Sequence, residues 1–596
     1  HRIVTNVWGQ IIVSDNLTFK SQYSFERSFF QHKRYYPEFN ISTKEQRSPS
    51  ELYDQRINGH NYVWTNFMSY KRDFDDHGID LMVGVEAQEM SSNNIQAGAL
   101  DVPLDLASQY FSSSKNKVDF SVMTDPDLLW EQSIMSGFGR FNYSYNDKYL
   151  FTATIRADGS SKFKGDNQWG LFPSFSFGWY VSREPFMESS QLINRLKLRS
   201  GWGEVGNEGS VSNYQYLSTM APNQIYVFGN QLVEGRMPLM ISNSNLRWET
   251  SQMTNVGADI GLWNNRLDIT VDGFYKITKD ILVITPVPYY FGNGAPFSNA
   301  ASMSNKGLEV ATTYKSGYTE ETGFSYDAGF NISFIRNKIV DLSGSDIIEG
   351  GKVGKLEAFT TRTEEGEEMA YFYGYKTDGI FNDEEELNAH VNNEGEPLQP
   401  NAQVGDVKFL NVNGDDELSA DDKVKLGSAN PDFTFGLNLN AYYRGFDLKL
   451  FFQGSYGNEG VNAMNYNNLN PDGIENSRRE RLDSWTPENN SDTYRMTFMD
   501  NNKNIGRFSD IWVEDASYLR LKNFQIGYSP PQKWIEKVML DSLRIYISVN
   551  NFFTLTRYSG WDPEIGQLFD NPFNRGIDMG TYPHARSFMA GLMVTL

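Results

Sequence analysis

The sequence contains no cysteine. That absence excludes disulfide frameworks, thiolate metal sites and cysteine nucleophiles together. Histidine is nearly as scarce, six in 596 residues, and no two share the His-x-x-x-His spacing of a metal pair. No run of about 18 apolar residues occurs, so no helix of this chain is read as crossing a membrane. Cations are in deficit: 53 Lys and Arg face 75 Asp and Glu, a net charge of −22. Nucleic acid is therefore not expected as a partner, because phosphate binding needs clustered cations. No glycine-rich phosphate loop stands in a strand–turn–helix setting. Carboxylates are too abundant for any one pair to point to glycosidase chemistry. No catalytic residue is assigned, and the chain is not read as an enzyme. Nor does a secretory leader open it: His1 runs almost directly into strand-like sequence. The expectation is a mature fragment, or a chain whose start lies outside this sequence.

What is abundant is aromatic side chains, 41 Phe, 33 Tyr and 12 Trp, or 14 % of the chain. Mean hydropathy is only −0.52. The two fit a membrane β-barrel, in which alternate residues face lipid and the average hides them. A large soluble all-β protein has the same composition.

Period-two alternation decides between them. Over Thr18–Arg27, Phe19, Tyr23 and Phe25 share one face, and Lys20, Gln22 and Glu26 take the other. Phe141, Tyr143 and Tyr145 oppose Arg140, Asn142 and Ser144. Leu267, Ile269 and Val271 oppose Asp268, Thr270 and Asp272, and Ile545, Ile547 and Val549 oppose Arg544, Tyr546 and Ser548. These runs approach the ~9–11 residues that a tilted strand needs to cross a bilayer. Connections alternate in length: Asn146–Asp147, Asn264–Arg266 and Tyr443–Phe446 are tight, whereas 204–246, 342–431 and 455–516 are long. Short turns at one end and long loops at the other describe a transmembrane antiparallel β-barrel. Roughly sixteen strands are expected, from about the first residues to a last strand in Ser587–Leu596. Tyr518–Tyr528 changes parity partway, which predicts a bulge.

Several segments resemble the SusC-like (SusC/RagA) branch of TonB-dependent outer-membrane transporters. Arg156-Ala-Asp-Gly-Ser-Ser-Lys-Phe163 with Trp169-Gly-Leu-Phe-Pro-Ser-Phe-Ser176 is the most specific. Leu196-Lys-Leu-Arg-Ser-Gly-Trp-Gly203, Asn245-Leu-Arg-Trp-Glu-Thr250 and Asn305-Lys-Gly-Leu-Glu309 follow in the family's order. So do Gly374-Tyr-Lys-Thr-Asp-Gly-Ile-Phe381, Gly405-Asp-Val-Lys-Phe409, Pro431-Asp-Phe433, Ala516-Ser-Tyr-Leu-Arg-Leu521 and Asp562-Pro-Glu564. The resemblance implies an integral barrel of 22 strands in the bacterial outer membrane, an internal plug that engages TonB, and a SusD-like surface lipoprotein as lid. Neither the plug nor about six N-terminal strands is expected in this chain, and 342–431 is read as a long extracellular loop.

Strand faces and loop positions supply the candidate residues. Arg156, Asp268 and Arg544 are expected to line the lumen. Trp485, Trp512, Tyr558, Trp561 and Tyr582 lie in presumed external loops, where aromatic rings stack on sugars or peptide side chains; the structural alternative is that they fold the loops on themselves. Asn411, Asn413, Asp415, Glu417 and Asp422 fall at positions one, three, five, seven and twelve of a possible calcium loop. Asp416 replaces the glycine that eases such a turn, and an unoccupied solvated turn is the alternative. No other cofactor is expected. The acidic runs Glu364–Glu368 and Asp383–Glu386 read as a solvated face.

The function so implied is import of a glycan or peptide nutrient, with lipid around the apolar face. The alternatives are a lidless siderophore or cobalamin receptor, a surface adhesin that transports nothing, and a passive porin, which such long loops disfavour.

Overall fold

A computed structural model describes residues 1–105, 109–114, 116–123, 128–218, 220–238, 241–284, 292, 296–317, 323–342, 347–353, 360–469, 477–494, 500–538, 540–568 and 571–595. The last residue of the expected final strand, Leu596, lies outside them. The chain divides into two compact units. One comprises 1–179, 200–254 and 278–300, the other 180–199, 255–277 and 301–596.

In the first unit seven strands pair in chain order: β1 Arg2–Ser14, β2 Leu17–Tyr36, β3 Glu51–Phe74, β4 His77–Leu100, β5 Trp130–Tyr145, β6 Tyr149–Ser160 and β7 Trp169–Tyr180. Every pairing is antiparallel. A short strand, Asn116–Met123, adds to the far end of β4. Strands β8 Ile193–Asn207, β9 Glu249–Leu262 and β10 Leu267–Ile284 contribute residues to both units. In the second unit β11 Phe297–Lys315 (apart from its first four residues), β12 Phe324–Asp341, β13 Phe433–Tyr443, β14 Phe446–Tyr456, β15 Tyr518–Tyr528, β16 Ser542–Thr556 and β17 Ser587–Thr595 pair in the same way. These 17 long strands are one more than the sequence suggested. Among the described residues no helix is long and apolar enough to cross a membrane.

The tight turns have the chemistry their geometry needs. Asn146 and Asp147 both hold φ of 51°, and Arg444–Gly445 hold 46° and 89°. Two consecutive positive φ values match the twist of a tight hairpin; Asn, Asp and Gly tolerate them best, and Arg444 is the exception among these four. At 24 residues each, β3 and β4 exceed the ~9–11 that span a bilayer, so they extend well beyond it.

Alternation places apolar side chains on one face. Phe151 and Ile155 of β6 and Leu171, Phe175 and Phe177 of β7 are exposed, although each is large and apolar. Thr152, Thr154 and Arg156 face the other way. Exposed apolar side chains on a regular strand face require a non-aqueous neighbour. The bulge expected in β15 is present. Phe451 pairs with Asn523 and Phe452 with Leu521, which leaves Lys522 as the extra residue. The bulge keeps Leu519 and Leu521 on the same face as Phe524 and Ile526.

Candidate functional site: a polar wall and a folded loop core

The polar strand face carries charges that meet each other. In the first unit Arg156 reaches Asp158 Oδ1 at 2.7 Å, Glu86 Oε1 at 3.1 Å and Ser136 Oγ at 2.8 Å. In the second, Arg195 donates to Asp268 at 2.8 Å, and Arg199 donates to Asp259 and Asp272 at 3.2 and 3.0 Å. Arg544 grips Asp447 with two hydrogen bonds, of 2.9 and 2.6 Å. All three expected wall residues, Arg156, Asp268 and Arg544, therefore lie on the polar face, each in an ion pair. Two-point guanidinium–carboxylate contacts fix direction as well as charge.

The long connections of the second unit fold into a core of their own. Phe372, Tyr375, Phe409, Tyr466, Phe508 and Trp512 are buried together, with Val353, Val407, Val461 and Ile577 among them. The strand Tyr371–Tyr375 can approach this core because Gly374 has no side chain: a Cβ there would lie 2.4 Å from the Phe508 carbonyl. Tyr375 N donates to that carbonyl at 2.9 Å. Polar side chains stitch segments about a hundred residues apart. Gln399 Nε2 donates to Asn502 Oδ1 and Asn504 Nδ2 to Asp406, both at 2.9 Å, while Gln399 Nε2 also meets the nearby Val407 carbonyl at 2.9 Å. All these side chains are buried, where such bonds are costly to leave unmade.

This arrangement separates the five loop aromatics. Trp512 and Tyr558 lie inside, 4 % and 5 % exposed, and Tyr558 OH donates to Asp578 at 2.9 Å. Burial and that acidic neighbour push the Tyr558 hydroxyl well above its ordinary pKa. Trp485 is half-buried against the same core. Trp561 and Tyr582 are 64 % and 84 % exposed, so only these two offer free ring faces.

The acidic runs are more structured than a solvated face. Glu367 and Glu368 are both held by Lys425. Asp383 caps the helix Glu384–Ala389 by accepting from Glu386 N at 2.9 Å. Burial works to raise the Glu368 pKa, but bonds from Lys425, Ser428 and Asn430 outweigh it and hold it below the usual range.

Asn411–Asp422 forms a turn braced by its own oxygens. Asn411 Oδ1 accepts from Gly414 N at 2.7 Å, Asn413 Oδ1 from Asp415 N at 3.0 Å and Asp415 Oδ1 from Glu417 N at 3.0 Å. These contacts leave further lone pairs for a cation. Asp422 is fully buried and takes amides from Val412 and Asn413 on one oxygen and Ser419 on the other. Glu417 is exposed.

One node escaped the sequence reading. Arg520 of β15, almost fully buried, donates to Asp562 at 2.6 Å, Glu564 at 2.9 Å and Thr554 at 2.8 Å. His584 joins Asp562 through its ring at 2.9 Å and its backbone N–H at 3.0 Å. Burial opposes ionisation of Asp562, yet the amides of His584 and Glu564, with Arg520, hold its pKa far below the ordinary value. The signal was the pairing of an Arg in Ala516–Leu521 with the two acids of Asp562-Pro-Glu564. Nothing in sequence spacing says that the two segments meet. In the first unit the Phe163 and Trp248 rings meet at 5.2 Å over buried Leu246, joining two more of the quoted segments.

Residues 6–552 match the family described as TonB dependent receptor-like, beta-barrel. TonB-dependent receptor P3 of Formosa agariphila is 32 % identical over 590 residues, covering 97 % of this chain and 56 % of that protein. TonB-dependent receptor SusC of Bacteroides thetaiotaomicron is 27 % identical over 543 residues, 89 % of this chain and 50 % of its own length. The solved structure titled "Structure of the RagAB peptide transporter" shares the fold, with a TM-score of 0.82 at 22 % identity, over 100 % of this chain and 62 % of that one. The chain thus spans about half to three-fifths of these relatives. It belongs to the TonB-dependent receptor-like β-barrel family and is an integral protein of the bacterial outer membrane.

Proposed function

We propose that this chain is the barrel portion of an outer-membrane nutrient importer that works with a SusD-like lipoprotein lid and is driven by TonB. The observation that carries this reading is the wall in which Arg156, Arg199 and Arg544 are each neutralised by carboxylates. A wet but charge-balanced wall lets polar solutes pass without trapping them, since conduction needs binding weak enough to release. Relatives named SusC, and the RagAB structure titled a peptide transporter, support import of a glycan or peptide. The folded loop core gives the external end a rigid surface for a lid, and exposed Trp561 and Tyr582 offer it or the substrate two aromatic faces. The Asn411–Asp422 turn is proposed to take calcium weakly, as extracellular loops do.

The test is gentle detergent extraction of the native protein, mass spectrometry of what co-purifies, and uptake by a deletion strain. A co-purifying lipoprotein and lost uptake of peptide or oligosaccharide are expected. Unchanged uptake would remove the importer reading and favour an adhesin.

A further inference from the structure

A cavity of about 340 Å³ lies in the second unit, bounded by β11, β12, the start of β13 and the loop core. Asn305 and Asn337, register partners on β11 and β12, form part of its lining. Asn337 Nδ2 donates to Asn305 Oδ1 at 2.9 Å, and Asn337 Oδ1 accepts from Met369 N at 3.0 Å, so both carboxamides are held in place. Arg575 lines the same cavity, its backbone bridged to Gln567 and its Nη1 donating to Asn430 Oδ1 at 2.9 Å.

Arg575 differs from its neighbours. Arg336, Arg520 and Arg544 of the same unit each meet a carboxylate at 2.6 Å. Arg575 meets none among the described residues. Glu368, which holds the far side of Asn430, is already engaged by Lys425 at 2.8 Å and Ser428 at 2.6 Å. In a chain of net charge −22, a guanidinium on a cavity wall without a counter-charge is an open anion site, and its planar fork suits a carboxylate.

The remaining lining selects the ligand. Met303, Ile335 and Met369 supply apolar, adaptable surface, and among the described residues no aromatic ring lines the cavity to stack on a sugar. Carboxamides donate and accept in the pattern that peptide groups require. We infer that this cavity is a peptide subsite in which Arg575 binds a substrate carboxylate, terminal or side-chain, while Asn305 and Asn337 meet its backbone. The inference rests on the importer reading and narrows its substrate class.

The probe is a tryptic casein digest, with carboxyls free or blocked as methylamides, offered to the purified full-length transporter with its co-purifying partner. Retained peptides are read by mass spectrometry. Blocking is expected to lower retention about tenfold, the scale of a charge-assisted hydrogen bond. Arg575→Gln is expected to lower retention of free-carboxyl peptides equally and to abolish the difference, while Arg575→Lys restores part of it. Equal retention of free and blocked peptides, or a preference that survives Arg575→Gln, overturns the subsite. A neutral maltooligosaccharide mixture separates the two readings. If deletion strains lose uptake of oligosaccharide or peptide while Arg575→Gln retains free-carboxyl peptides as well as the unaltered protein does, the importer stands and the peptide subsite falls. If deletion changes neither peptide nor oligosaccharide uptake, the importer reading falls and takes the subsite with it.

Discussion

The indole of Trp485 occupies the space that a side chain on Gly405 would need. A Cβ built on Gly405 would lie 2.2 Å from Trp485 Cε3, and Gly405 holds φ of +91°. Both the clash and the backbone angle exclude other residues there. Gly405→Ala is expected to destabilise the loop core by at least the ~1–3 kcal/mol of a strained φ, with the displaced ring adding to it. Limited proteolysis of the extracted protein checks this: cleavage within 360–432 and 457–516 should rise while the long strands stay protected.

Arg520 is the buried counter-charge for two acids. Arg520→Ala takes from Asp562 its guanidinium partner and leaves Glu564 with Lys522 at 3.3 Å as its cation, a change that costs ~3–5 kcal/mol when the pair is buried. Thermal unfolding followed by tryptophan fluorescence should show the loss, and Asp562→Asn added to Arg520→Ala should recover part of it.

Acid should loosen the loop core. Asp562 and Glu368 both have folded pKa values below the ordinary range. The stability they contribute is present above the unfolded value, near 4, and is lost as pH falls through the lower folded values. Proteolytic susceptibility of the loops should therefore be flat from pH 7 to about 5 and rise below about 4. Asp562→Asn should flatten that rise.

Calcium should bind the Asn411–Asp422 turn in the ~10⁻⁴–10⁻³ M range. Titration calorimetry of the full-length protein checks it, with Asp415→Ala removing the heat. A signal untouched by that variant would place the ion elsewhere.

Trp512 and Tyr582 should behave oppositely. Trp512→Ala empties a buried site and is expected to cost ~3–5 kcal/mol. Tyr582→Ala, at an exposed position, should stay within ~0.5 kcal/mol in the same melt. An effect of Tyr582→Ala on lipoprotein co-purification would mark it as a contact for the lid.

The strands were legible because their signal is local. Phe151 and Ile155 against Thr152 and Arg156 repeats every two residues, and Asn146–Asp147 states its own turn type. Even the bulge at Lys522 showed as a parity change. The loops were not legible, since nothing local distinguishes Trp512, which is buried, from Tyr582, which is open.

The sequence by itself determined an all-β membrane wall, its polar and apolar faces and the ends of most strands, since period and turn chemistry are properties of neighbouring residues. Only the tertiary structure decided which charges meet. Arg520 finds Asp562 42 residues away, Gln399 finds Asn502 103 residues away, and Arg575 finds the neutral Asn430 145 residues before it. Such pairings depend on where long loops return, and loop closure varies too slowly with length for spacing to encode it.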